Sequence, residues 1–215
     1  PCWKEMRHSQ IVAWFFTPAE MATKLNDMHV IGLDTSEAVG RDAIAMALTN
    51  GSTGELAAKL TVNETNVIGF AVCLAQFMPK YEKTGSIVER RSTGSSVIDA
   101  ILLTLQEKVR DLHRRLYVRI TQDHDRTSDL LQEFRRGPMG SAELFWSKFR
   151  VYAGFSTDGD KRKKLYGEVF STAMRLCAHS IRAGALNEQV LALVERNGRL
   201  DHAASGHADL VLAWR

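Results

Sequence analysis

Nothing in this sequence is long and apolar enough to cross a bilayer. The nearest approach, residues 11–16 (IVAWFF), is too short to span one, and no charged-then-apolar leader precedes it. The expectation is a soluble protein without a membrane partner. Cysteine is scarce: Cys2, Cys73 and Cys177 are odd in number, far apart, and never form a CxxC pair. That excludes a disulfide framework or a zinc cluster and suits a reducing compartment. Cys73 and Cys177 fall inside apolar patterns and read as small core residues. Charge of one sign is not in excess, since 28 Lys+Arg against 25 Asp+Glu leave a formal +3. There is no Gly-x-x-x-x-Gly-Lys-Ser/Thr phosphate loop, so no ATP-driven motor is expected. There is also no Gly-x-Ser-x-Gly elbow, and Ser36 has no recognisable base nearby, which leaves little room for an esterase or protease. Internal repeats and low-complexity tracts are absent.

What is present is an alternation of short strands and amphipathic helices. Residues 1–27 read as a leading segment or linker, in which Thr17-Pro18-Ala19-Glu20 has the form of a capped helix start. The chain begins at Pro1, and an excised piece of a larger protein is expected. Residues 29–34 (HVIGLD) form a buried strand ending on a carboxylate, 43–49 a small apolar one, and 55–62 a third after the turn-rich NGSTG. Tight turns between them predict an antiparallel meander. Apolar spacing predicts helices over 66–81 and 95–109, on either side of a short strand at 86–89 that again ends on a carboxylate. Residues 116–120 are the next strand. Strands that alternate with helices pair in parallel, so the expected fold class is α/β with a mixed sheet flanked by helices. Between 121 and 159 the pattern weakens around Gly137-Pro138 and Gly140, which predicts an insertion or mobile loop region before the final elements. Those are helices at 161–180, 187–194 and 206–214, with a short strand at 199–202.

Two carboxylates, Asp34 and Glu89, stand where expected parallel strands run out, the edge at which open α/β sheets bind ligands. Asp209 lies near the start of the last helix. Convergent carboxylates repel one another and need a counter-charge. Hard divalent ions with oxygen ligands, Mg²⁺ or Mn²⁺, supply it, and two such ions about 4 Å apart can hydrolyse a phosphodiester. Basic clusters are available for phosphates: Arg90-Arg91, Arg114-Arg115, Arg135-Arg136 and Lys161-Arg162-Lys163-Lys164.

Three segments carry a resemblance. Residues 30–36 (VIGLDTS) with Gly40-Arg41-Asp42 resemble the first motif of the nuclease domain of viral terminase large subunits, from tailed bacteriophages. Residues 87–90 (IVER), Gly94 and Val97-Ile98 resemble the second, and 199–202 (RLDH), Gly206-His207 and 209–213 the third. The motifs stand in the family's order and span nearly the whole chain. The resemblance implies an RNase H-like mixed sheet over residues 28–215. It implies metal ligands at Asp34, Glu89 and Asp209, with Asp42 as a further ligand and His207 as an accessory residue orienting phosphate or water. It implies two Mg²⁺ or Mn²⁺ ions, and contacts to double-stranded DNA from Arg90, Arg91, Lys161, Arg162, Lys163 and Lys164. The activity it implies is cutting of concatemeric viral DNA during genome packaging, in the host cell cytoplasm and at the procapsid. The implied partners are the portal protein, the small terminase subunit and an N-terminal ATPase domain. One position departs from the pattern: many members carry two adjacent acids after the His, and Ala208 occupies the first place. Adjacent helix positions point about 100° apart, so either Asp209 serves here or the site is disabled. A RuvC-like junction resolvase, another RNase H-like nuclease, or a catalytically silent module binding DNA or a portal are the alternative readings.

Overall fold

The structure is a computed structural model that describes residues 1–7, 10–35, 44–62, 67–90, 93–105, 111–121, 128–156, 165–196, 199–202 and 209–214. Its main sheet has six strands: β1 (Trp3–Arg7), β2 (Gln10–Trp14), β3 (His29–Thr35), β4 (Ile44–Asn50), β5 (Leu56–Val62) and β6 (Thr84–Val88). The order is β1-β2-β5-β4-β3-β6. The meander β3-β4-β5 is antiparallel, and β6 joins β3 in parallel after the crossover helix α2 (Val67–Lys80). This is the mixed, helix-flanked sheet expected of the RNase H-like class.

The leading segment differs from expectation. Rather than acting as a linker, residues 3–14 add a hairpin to the free edge of β5. Trp14 and Phe16 are fully buried, and Trp14 stacks on Phe77 of α2. An apolar run too short for a membrane is long enough for a buried strand. The helix α1 (Pro18–Lys24) starts as expected, with the Glu20 amide donating to Thr17 Oγ1 and the Thr17 amide to Glu20 Oε2.

The central strands bury both faces, and the period of two assigns each residue to a layer. Ile31, Leu33, Met46 and Leu48 face α2 and α3 (Gly94–Leu105). Ala45 and Ala47 face the opposite layer, made by α7 (Phe170–Cys177), α8 (Gly184–Leu191) and α9 (Asp209–Trp214). Large residues lie on the first face and small ones on the second, so the second layer sits close to the sheet. Of the cysteines, Cys73 is buried in the core and Cys177 is half-buried.

Residues 121–159 are not a loop among their described members. Helices α5 (Ser128–Arg136) and α6 (Ala142–Phe149) pack Phe134, Phe145, Trp146 and Phe149 into one aromatic cluster. The breakers at Gly137-Pro138 mark the connection between two helices. The strand expected at 116–120 is likewise reduced to bridges at Leu116 and Val118. Its place beside the end of β6 is taken by residues 153–155, where the Phe155 amide donates to the Val88 carbonyl (2.8 Å) and the Arg90 amide to the Phe155 carbonyl (2.8 Å). Gly154 makes the substitution feasible: at φ +82°, a Cβ there would lie 2.8 Å from the Val88 carbonyl oxygen. Past these elements, β7 (Leu193–Arg196) and β8 (Arg199–His202) form a separate two-stranded ribbon.

Arg115, in the short helix α4 (Leu112–Arg115), ties α2 to β6. Its guanidinium donates to the carbonyls of Met78, Tyr81 (2.7 Å) and Thr84 (2.8 Å). These include carbonyls left open at the end of α2. Arg115→Met keeps the stem and removes the donors, and should cost about 2–3 kcal/mol. A thermal melt that falls by less than about 2 °C would rule out this clamp.

His113 precedes it, buried between the rings of Phe134 (6.0 Å) and Phe145 (5.8 Å). Gly137, at φ +76°, leaves the space, since a Cβ there would lie 2.8 Å from His113 Nε2. Burial pushes the imidazole below its usual 6.5; Arg114 adds to this and Asp111 opposes it. The unfolded chain therefore takes up a proton that the folded one resists. His113 stabilises the fold fully above about pH 6.5, and this contribution is lost as pH falls towards the lowered value. His113→Leu should flatten the decline in melting temperature between about pH 7 and pH 5; an unchanged slope would exclude His113 as its source.

Candidate active site

The site begins with a missing side chain. Gly32, in the middle of β3, faces α9, and a Cβ built on it would lie 1.8 Å from the Ala213 carbonyl oxygen. The helix backbone thus rests directly on the strand, as it does beside Ala47, the β4 partner of Gly32. At the far end of α9, Trp214 Nε1 donates to the Gly54 carbonyl (3.2 Å), in the β4–β5 turn. That turn lies at the His29 end of β3, because His29 pairs with Asn50. Helix α9 therefore runs antiparallel to β3, and its first residue lies toward the Asp34 end. From Ala213 back to Asp209 is about 6 Å of helix, and from Gly32 to Asp34 about 7 Å of strand. The backbone of Asp209 comes level with Asp34.

Asp34 shares the face of Gly32, two residues on, and pairs with Ala45 of the α9 layer. It is buried, 6% exposed. In the parallel pair, Gly32 lies opposite Ile87 and Leu33 opposite Val88, so Glu89 follows beside Asp34 on the same face. Neighbouring strands run about 4.8 Å apart. The Glu89 amide donates to the Leu33 carbonyl (3.1 Å), and Thr35 Oγ1 donates to the Glu89 carbonyl (3.1 Å). These bonds fix the backbone at which β6 ends.

Gly94 opens α3 directly against this point: a Cβ there would lie 1.7 Å from the Glu89 carbonyl oxygen and 2.7 Å from Thr35 Oγ1. On the opposite layer, Gln189 Oε1 accepts from the amides of Leu210 (3.0 Å) and Val211 (3.1 Å), holding the first turn of α9. Periodicity gave no sign of Gln189, which meets α9 across 21 residues of chain. Half-buried Glu89 lines a cavity of about 410 Å³ together with Gly32, Ile87, Tyr117, Phe155 and Trp214.

The expected residues divide accordingly. Asp34 and Glu89 come together on one face, and the backbone of Asp209, the first residue of α9, lies level with Asp34. Asp42, His207, Arg91 and Lys161, Arg162, Lys163 and Lys164 lie outside the described residues, as do Ala208 and the side chain of Asp209. Among the described residues no group of three His, Cys, Asp or Glu side chains is placed to hold a metal. Arg90, expected at DNA, is bonded to main chain through one of its guanidinium nitrogens. Its Nη1 donates to the carbonyls of Arg150 (3.2 Å), Val151 and Ala153 (3.2 Å), pinning the segment that borders Glu89.

No protein-family model matches the chain, and no curated protein matches it in sequence. It is similar to the crystal structure of the large terminase nuclease from thermophilic phage G20c, at 12% identity and a TM-score of 0.44, over 98% of this chain and 88% of that one. A likeness of that size transfers no residue roles.

If Gly94 is required for close approach, Gly94→Ala should destabilise by about 1–3 kcal/mol, although alanine is the better helix former. Gly184→Ala, at the start of α8 with nothing within 4 Å of the added methyl, should be neutral or stabilising. Equal melting temperatures for the two variants would contradict the close packing at Glu89.

Proposed function

We propose that this chain is a metal-dependent DNA endonuclease of the terminase type, in which Asp34, Glu89 and Asp209 form the acidic centre. The observation that carries the reading is the meeting of Asp34 and Glu89 on one face at adjacent strand ends, beneath the first residue of α9. The two motifs quoted for the resemblance supply those residues from separate parts of the chain, and the third supplies Asp209.

The donor set suits the implied metal. Carboxylates are hard oxygen donors of the kind that Mg²⁺ and Mn²⁺ take. Asp34 and Glu89 would hold Mg²⁺ or Mn²⁺, with Asp209 and Asp42 as further ligands. When bound, such ions supply the Lewis acidity that phosphodiester hydrolysis needs. The chain's own part is to hold these carboxylates still. Thr35 and the Leu33 carbonyl set the end of β6, Gly94 lets α3 close behind it, and Gln189 anchors α9. His207 would orient phosphate or water. Arg91 and Lys161–Lys164 would add contacts to duplex phosphates. In this reading the substrate is concatemeric viral DNA, cut during packaging in the host cytoplasm. The portal, the small subunit and an ATPase domain are the partners.

The test is plasmid cleavage in Mn²⁺ by the full chain and by Asp34→Asn, with a thermal melt of each. Cutting should fall by at least about 10³-fold while the fold is retained. Mn²⁺ should raise the melting temperature of the parent chain more than that of the variant, because the ion binds only the folded cleft. Equal cutting by the two proteins would refute the assignment, and so would an equal response to Mn²⁺.

A further inference from the structure

The α9 face of β6 continues beyond the carboxylates. A second cavity, of about 570 Å³, lies at the start of β6 and is lined by Gly85, Arg114, Phe134 and Arg135 among others. It shares Val30, Ile87 and Tyr117 with the cavity at Glu89, so the two form one groove. Val30 pairs with Gly85, and Gly32 with Ile87. The floor is therefore a single sheet face, and it is apolar: Ile87 is 39% exposed there. Between Gly85 and Glu89 the strand rises about 13 Å.

The two ends of the groove differ in charge. At one end stand the carboxylates. At the other, the side chains of Arg114 and Arg135 are exposed, and among the described residues neither has an ion-pair partner. The walls between them are aromatic: Tyr117 and Phe155 meet edge to face at 6.3 Å. The Tyr117 hydroxyl is buried and has no hydrogen-bond partner among the described residues. An apolar floor, aromatic walls and a cationic end suit a chain that carries flat rings and anionic phosphates together. Duplex DNA keeps its ring faces stacked inside and presents phosphate, sugar and base edges at its surface, so it offers no ring face to the floor.

We infer that this groove binds one unpaired strand of nucleic acid, with bases against Ile87, Tyr117 and Phe155 and a phosphate between Arg114 and Arg135. The inference rests on the proposed nuclease reading, which sets the scissile phosphate at the acidic end. It adds that the strand to be cut leaves its duplex over a few nucleotides on one side of the cut. Base–aromatic stacking tolerates any sequence, so the groove requires no base preference.

The experiment measures fluorescence anisotropy of a labelled short oligothymidylate and of a duplex of equal length, in EDTA so that nothing is cut. The full chain should bind the single strand more tightly. Arg114→Ala/Arg135→Ala should weaken that binding by about tenfold and make the slope of log K against log salt shallower by about 0.7, for the one phosphate that the two arginines neutralise. Ile87→Glu, at an exposed site, should also lose binding, with the melting temperature of both variants unchanged. As a readout that needs no variant, ultraviolet cross-linking of the oligothymidylate to the parent chain should label the peptides containing Tyr117 or Phe155. Preference for duplex, or wild-type binding by both variants, would overturn the inference, as would cross-links confined to other peptides. Cleavage separates the two readings. A chain that cuts in Mn²⁺ but shows no single-strand binding keeps the nuclease and loses the groove. One that binds the single strand but does not cut keeps the groove and loses the nuclease.

Discussion

The contact between Gly32 and the backbone of α9 is the constraint on which the candidate site depends. Any side chain at position 32 would occupy the space of the Ala213 carbonyl. Because the helix lies flat on β3 and is pinned by Trp214 at the β4–β5 turn, its other end can only project toward Asp34. A helix standing a side chain's width higher, as α2 and α3 do on the opposite face, would lift residue 209 away from the carboxylates. The glycine in the Gly-x-Asp pattern brings the helix down, and the aspartate that follows stands level with the helix start.

The same economy of size recurs around the site. Gly94 lets α3 reach the end of β6, and Gly154 lets a late segment take the edge position beside Val88. In each case the missing Cβ permits backbone to touch backbone where two elements distant in sequence converge. Arginine serves the complementary purpose. Arg90 and Arg115 each satisfy several carbonyls where strands and helices end, and hold the borders of the site by hydrogen bonds to main chain. Doublets of arginine in this sequence thus include members that bond to main chain. One member of a pair ties the fold while its neighbour, such as Arg114, remains exposed.

Much of the architecture was readable from the sequence alone. The meander, the crossover helix and the parallel strand that runs out just before Glu89 follow from local apolar periodicity, and the capping box at Thr17 from its own four residues. Where the reading failed, the cause was long-range. Residues 1–27 read as an entry segment or linker because an edge hairpin such as residues 3–14 shows no tertiary partner in its own sequence, yet β5 supplies one. Residues 121–159 look irregular because their helices are short and their aromatics face one another across a Gly-Pro break. The 116–120 strand is interrupted because residues 153–155 compete for the same edge of β6.

For the site, the order of the acidic residues along the chain and their places at element ends were sequence properties. A carboxylate at a strand terminus is a local fact, set by where the apolar run stops. That Asp34 and Glu89 share a face was not available locally, because it depends on the parallel register that sets Leu33 against Val88. A shift of one residue would have turned one carboxylate to the other side of the sheet. The direction of α9, the Gln189 contact and the groove from Arg114 to Glu89 exist only once the layers are packed. The reason is physical: periodicity records which side of an element is buried, whereas convergence at a site depends on which backbones approach closely enough to touch.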